Sequence, residues 1–159
     1  MKRSASILIL LFSCLICQAQ DAMTFKEMVG SNLLSFDFTY EVTGNVPLKG
    51  SGTVVAQKDC FIVKSNGVDV YCDGKSKWTV DEKAKEVYIE NAEDIFKSFP
   101  QLSDIKNDGG RISAVHKDPR TGAVTKLSVT NLKTAPLSGK DFSYNVPGGK
   151  DWVITDLRD

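Results

Sequence analysis

The sequence predicts an α+β fold, built on a curved antiparallel sheet of about eight to ten short strands with two or three helical pieces. Three observations carry this expectation. The stretch from Val68 to Glu90 holds two turns and three runs of alternating apolar residues, the pattern of a β-meander with one face toward a core. Further alternating runs follow one another through short turn-forming segments, which favours antiparallel pairing. At 159 residues, with 42% hydrophobic and 25% charged positions, the chain suits one globular domain with a genuine core. Many twisted strands in a single sheet tend to curl toward a barrel.

The elements follow in chain order. Thr24-Phe25-Lys26-Glu27 has the form of a capping box with Met23 and Met28 as its staple, so a helix is expected over Phe25 to Leu34. Phe36, Phe38, Tyr40 and Val42 alternate with polar residues as a first strand. Gly44 to Gly50 turns the chain, Gly52 to Gln57 forms a second strand, and Lys58-Asp59 is a tight charged turn. Cys60-Phe61-Ile62-Val63 is apolar on both faces, as expected where each face is covered or lines a cavity.

In the meander, Val70 and Cys72 precede the turn Asp73-Gly74-Lys75; Trp78 and Val80, then Val87 and Ile89, continue the same core face. Asn91 is placed to cap a short helix through Phe99, with Ile95, Phe96 and Phe99 on one side. Leu102 and Ile105 extend a looser helical piece toward Asp108-Gly109-Gly110. Arg111 to Lys117 and Ala123 to Asn131 form a hairpin around Asp118 to Gly122. Phe142, Tyr144 and Val146 make a further strand, and Trp152 to Leu157 the last.

The first nineteen residues read as a signal peptide rather than as part of the fold. Lys2 and Arg3 precede the apolar run Ile7 to Ile16, and Cys17-Gln18-Ala19 ends in small residues. Residues 20–159 are then a single exported domain. A rival reading is a lipoprotein processing site at Leu11-Phe12-Ser13-Cys14, which would leave Cys14 lipidated and the domain tethered to a membrane.

Export leaves Cys60 and Cys72 as the mature cysteine pair, and an oxidising compartment favours a disulfide between them. With Ser65-Asn66-Gly67 as a three-residue loop, Cys60 stands opposite Cys72. Two buried free thiols are the alternative.

Chemistry-bearing patterns are sparse. Lys plus Arg equals Asp plus Glu at 20 each, and no clustered basic face suggests nucleic acid as a partner. The one His, His116, shares a strand face with Ile112 and Ala114, where a core or rim role is the ordinary one. Asp73, Asp81 and Glu82 sit in turns; Lys75, Lys77, Lys83 and Lys85 read as solvated. With no nucleophile elbow, phosphate loop or metal-ligand cluster, the expectation is a non-enzymatic protein without cofactor or metal.

The stretch Asp73-Gly74-Lys75-Ser76-Lys77-Trp78, reached through Val70 and followed by Asp81 and Val87, resembles a motif of the periplasmic outer-membrane lipoprotein carriers, the LolA-like family. The run Ser35-Phe36 to Tyr40 with Gly50 to Val55, and the tail Phe142 to Pro147 with Asp156-Leu157-Arg158, are similar to that family's first two strands and closing segment. The resemblance implies an incomplete, half-open β-barrel covered by short helices. Its apolar cavity would take lipoprotein acyl chains or other lipid, as a monomeric carrier between an inner-membrane release complex and an outer-membrane acceptor.

The expected cavity lining is Phe36, Phe38, Tyr40, Phe61, Val63, Trp78, Val80, Val87, Ile89, Ile95, Phe96 and Phe99. Lys58 falls where the family has an arginine that controls the lid; it keeps the charge but lacks the planar fork. The alternative function is a tethered acceptor or regulatory lipid-sensing module of the same family.

Overall fold

A computed structural model describes residues 25–44, 47–93, 103–148 and 151–158. One helix, α1 (Phe25–Ser31), leads into β1 (Asn32–Thr43), β2 (Leu48–Gln57), β3 (Cys60–Ser65), β4 (Asp69–Cys72), β5 (Ser76–Asp81) and β6 (Glu86–Asn91). After residues 92–102 come β7 (Ser103–Asp108), β8 (Arg111–Lys117), β9 (Val124–Pro136) and β10 (Val153–Asp156). All ten strands join one sheet in the order β10-β6-β5-β4-β3-β2-β1-β9-β8-β7. Its two end strands do not pair with each other, so the sheet is open.

This overturns the α+β half-barrel covered by helices. Among the described residues the molecule is nearly all sheet, with one seven-residue helix. The sheet is also mixed rather than purely antiparallel, because β10 runs parallel to β6. The difference can be followed element by element. Helix α1 stops at Ser31, where the Asn32 side-chain amide donates to the Met28 carbonyl at 3.1 Å and satisfies one of the helix's terminal acceptors. Leu33 and Leu34 then belong to β1, and Leu34, opposite Ala56, is fully buried.

The expected helical piece near Ile105 is instead β7, drawn into a hairpin with β8. Asn91 is the last residue of β6, opposite Ser76, rather than a helix cap; Ala92 and Glu93 follow without regular structure, and the rest of that expected helix lies outside the described residues, as does the signal peptide. Phe142, Tyr144 and Val146 make no strand. Phe142 is buried, Tyr144 and Val146 pack against the sheet, and only beyond them does the chain rejoin the sheet, as β10.

Strands β1 and β2 pair through a Gly-Xxx-Gly segment that admits two rings. Phe38 stands opposite Gly52 and Tyr40 opposite Gly50. A Cβ at Gly50 would lie 2.5 Å from the Tyr40 ring, and one at Gly52 2.7 Å from the Phe38 ring and 2.1 Å from the Lys64 carbonyl oxygen. The two rings lie 6.3 Å apart, nearly parallel. Glycine here provides space for neighbours, the usual reason for glycine inside a strand.

The β3–β4 hairpin departs from expectation by one residue. Phe61 pairs with Cys72, Ile62 with Tyr71 and Val63 with Val70, so Cys60 does not face Cys72. Asp69 sets this register: its carboxylate accepts from the Ser65 amide at 3.2 Å and from the Lys64 ammonium at 2.5 Å. Both cysteines are free thiols in this structure.

Candidate apolar binding site

The ladder registers divide the apolar residues of the sheet between its two faces. On one face, Phe38 and Tyr40 oppose Val129 and Leu127; Phe36 opposes Val54; Phe61 and Val63 oppose Ala56 and Val54; and Val70 and Cys72 oppose Val63 and Phe61. With Leu34, Ile112, Ala114 and Val29 of α1 these form one continuous cluster, each 6% exposed or less apart from the half-buried Tyr40 at its margin. Fully burying side chains of this size contributes on the order of 1.5–3 kcal/mol each.

Between β4 and β5 the buried face changes sides. Tyr71 pairs with Trp78, and Cys72 with Lys77. Trp78 and Val80, opposite Ile89 and Val87, therefore lie on the far side of the sheet from Val70 and Cys72. They form a second, separate cluster with Tyr71, Tyr144, Val146 and Trp152 packed against it.

The Asp73 turn causes the switch. Its carboxylate accepts from the Lys75 and Ser76 amides, both at 2.8 Å, while the Asp73 amide donates to the Ser76 carbonyl at 3.2 Å. Gly74 takes the positive φ of 87° that this turn needs. A change of one residue in pairing moves every following side chain to the other face. The first face accordingly turns polar beyond β4, where Lys77 and Glu90 form an ion pair at 2.9 Å.

The predicted lining is thus not brought together. Phe36, Phe38, Tyr40, Phe61 and Val63 belong to the first layer; Trp78, Val80, Val87 and Ile89 belong to the second. Ile95, Phe96 and Phe99 lie outside the described residues. The single core face expected along the meander is corrected to two opposed ones.

Sequence reading also missed the cover of the second layer. Tyr71, which alternates with Val70 and Cys72 and so faces away from the first layer, packs against Tyr144 with ring centroids 4.9 Å apart. The signal available for this was composition: the chain's two tryptophans and two of its four tyrosines all fall in this one cluster.

Polar groups at the margin of the second layer are already engaged. Burial pulls the Lys64 ammonium down, but its bonds to Asp69 and to the Tyr71 hydroxyl outweigh this and hold it above its ordinary value. Burial pushes the Tyr144 phenol up. At the carboxyl end, the Arg158 guanidinium donates to both Asp156 oxygens, at 2.9 and 2.6 Å, and to the Ser76 hydroxyl at 3.1 Å. The side-chain and backbone bonds from Arg158 lower the Asp156 carboxyl to about 2.

Lys58 is exposed, and its link to the helix is made by backbone: its amide donates to the Val29 carbonyl at 2.7 Å, from a left-handed conformation with φ of 51°. Cys72 is buried, and burial pushes its thiol up to about 11. Cys60 is half-buried, and burial, with Asp73 and Asp59 nearby, raises it too. His116 stands half-buried opposite Thr125. Asp81 caps the next turn, accepting from the Lys83 and Ala84 amides. Among the described residues no group of three or more His, Cys, Asp or Glu is placed to hold a metal ion.

No family model matches the chain, and no curated protein matches it in sequence. A solved structure described as an uncharacterized conserved protein from Thermus thermophilus is similar to it in fold, with a TM-score of 0.51 and 11% identity over 98% of this chain and 99% of that one. At that identity the likeness concerns the fold alone.

Proposed function

We propose that this protein is an exported, non-enzymatic carrier that shelters acyl chains of lipoproteins or other lipids on an apolar layer of its sheet. The observation that carries the reading is the pair of apolar layers on opposite faces of an open sheet, one of them covered by a segment without regular structure. A hydrocarbon chain in water costs about 0.8 kcal/mol per CH₂ relative to apolar surroundings, so a carrier must offer comparable shelter. The basic-then-apolar amino terminus supports export to the periplasm, and the Asp73 to Trp78 motif supports the lipoprotein-carrier class. The Leu11 to Cys14 segment favours a second reading, a membrane-tethered acceptor of the same class.

Native mass spectrometry of the purified mature protein, with displacement of a fluorescent fatty acid, tests the carrier reading. Co-purified lipid and saturable, displaceable uptake are expected; absence of both overturns it. The intact mass separates the two readings, since an amino terminus near Gln20 indicates a free carrier and a diacylated Cys14 a tethered acceptor.

A further inference from the structure

The two apolar layers differ in what would have to move to admit a ligand. The first runs through six strands and includes α1. The second is a strip two strands wide, formed by Trp78, Val80, Val87 and Ile89, and each of these is 8% exposed or less. The two apolar positions on each strand lie about 7 Å apart along it, so the strip covers a short stretch of a hydrocarbon chain. Its cover comes largely from the chain's own tail, through Tyr144, Val146 and Trp152, all half-buried.

That tail has no helix or strand between Pro136 and Val153 among its described residues. Surface contacts tether it. Gln57 exchanges two hydrogen bonds with the Ser138 backbone, at 2.9 and 3.0 Å, and Lys85 meets Asp151 at 3.4 Å with both side chains more than half exposed. It ends in a four-residue parallel edge strand whose Val153 and Ile154 are 58% and 49% exposed. Segments with few buried contacts open at far lower cost than the domain unfolds. Phe142 is buried but belongs to neither layer, so it stays as an anchor when the residues beyond it lift.

We propose that the β5–β6 strip is the acyl-chain site, covered in the resting protein by Tyr144, Val146 and Trp152 and exposed when the tail beyond Phe142 lifts. The strip's width suits one linear hydrocarbon chain lying along the strands. This rests on the carrier reading and specifies which of the two layers serves it. Because tail and ligand compete for one surface, apparent affinity scales with the fraction of open protein. The Arg158 anchor, which ties the tail to Ser76, therefore restrains binding.

The chain's two tryptophans both lie in this layer and neither lies in the other, which makes the test direct. The full mature protein is titrated with a dibrominated stearic acid, whose bromines quench tryptophan on contact, and with unbrominated stearic acid, while binding is followed independently by native mass spectrometry. Expected are strong quenching by the brominated acid alone, a red shift of Trp152 emission with the plain acid, and apparent affinity several-fold higher in Arg158→Ala. Binding without quenching overturns the assignment to this strip and leaves the carrier reading standing. No binding of either acid overturns both. Quenching with unchanged or weaker affinity in Arg158→Ala refutes the competition between tail and ligand.

Discussion

Substituting alanine for Gly52 tests the packing that joins the first two strands to the third. The added methyl would stand 2.1 Å from the Lys64 carbonyl oxygen, a backbone atom, and 2.7 Å from the Phe38 ring. An ordinary carbon–oxygen contact is about 3.3 Å, so β2 and β3 must part by roughly 1 Å near the Thr53–Lys64 pair. Losing two ladder hydrogen bonds costs about 1 kcal/mol each, and displacing the buried ring adds the roughly 1–3 kcal/mol typical of an overfilled core.

The expected loss is therefore about 3–5 kcal/mol, a large share of the roughly 5–15 kcal/mol that holds a domain folded. With a urea slope near about 2 kcal/mol per molar, the unfolding midpoint falls by roughly 2 M. Gly50→Ala is the control, since the atoms nearest its methyl all belong to the half-buried Tyr40 side chain rather than to backbone. Its cost should be about 1–2 kcal/mol, and Tyr40→Ala should relieve part of it in a double-mutant cycle. Phe38→Ala should not rescue Gly52→Ala, because the carbonyl remains in the way. A Gly52→Ala midpoint within about 0.3 M of the parent, or full rescue by Phe38→Ala, would refute this account.

Strain, thiol burial and the carboxyl-terminal ion pair each give a further test. Lys58→Gly should raise stability by about 0.5–1 kcal/mol in urea denaturation, since it removes the left-handed strain at φ 51° and keeps the amide that holds α1; a loss would show that the Lys58 side chain itself matters. In the native protein at pH 8, iodoacetamide should label Cys60 well before Cys72, whose buried thiol lies at about 11; equal rates by peptide mass analysis would contradict the burial difference. The Asp156 carboxyl is lowered from 3.8 to about 2, so its contribution is complete above pH 3.8 and is lost as pH falls through about 2. Trp152 emission should accordingly hold steady to about pH 4 and shift only below it, whereas an onset at neutral pH would exclude Asp156 as the controlling group.

Most strands, and the turns that join them, were legible in the amino-acid order alone. Alternation along Phe36 to Val42, Trp78 to Val80 and Val87 to Ile89, and the turns at Lys58-Asp59, Asp73 to Lys75 and Asp118 to Gly122, are local properties of neighbouring residues. They can be read because side-chain period and turn chemistry act within a few positions. Which residues share a core could not be read in this way.

Alternation states that Val70 and Cys72 face together, and that Trp78 and Val80 do; it does not relate one strand to the next. That relation depends on pairing register, set here by carboxylates reaching backbone amides across the turns at Asp69 and Asp73. The tail shows the same limit. Phe142 to Val146 alternates like a strand, yet the sheet edge is completed by Val153 to Asp156 instead, while Tyr144 and Val146 pack against the tryptophan layer. That one sheet carries two opposed apolar layers emerged only from the folded arrangement, since a single-residue shift in pairing is invisible along the chain and reverses every side chain beyond it.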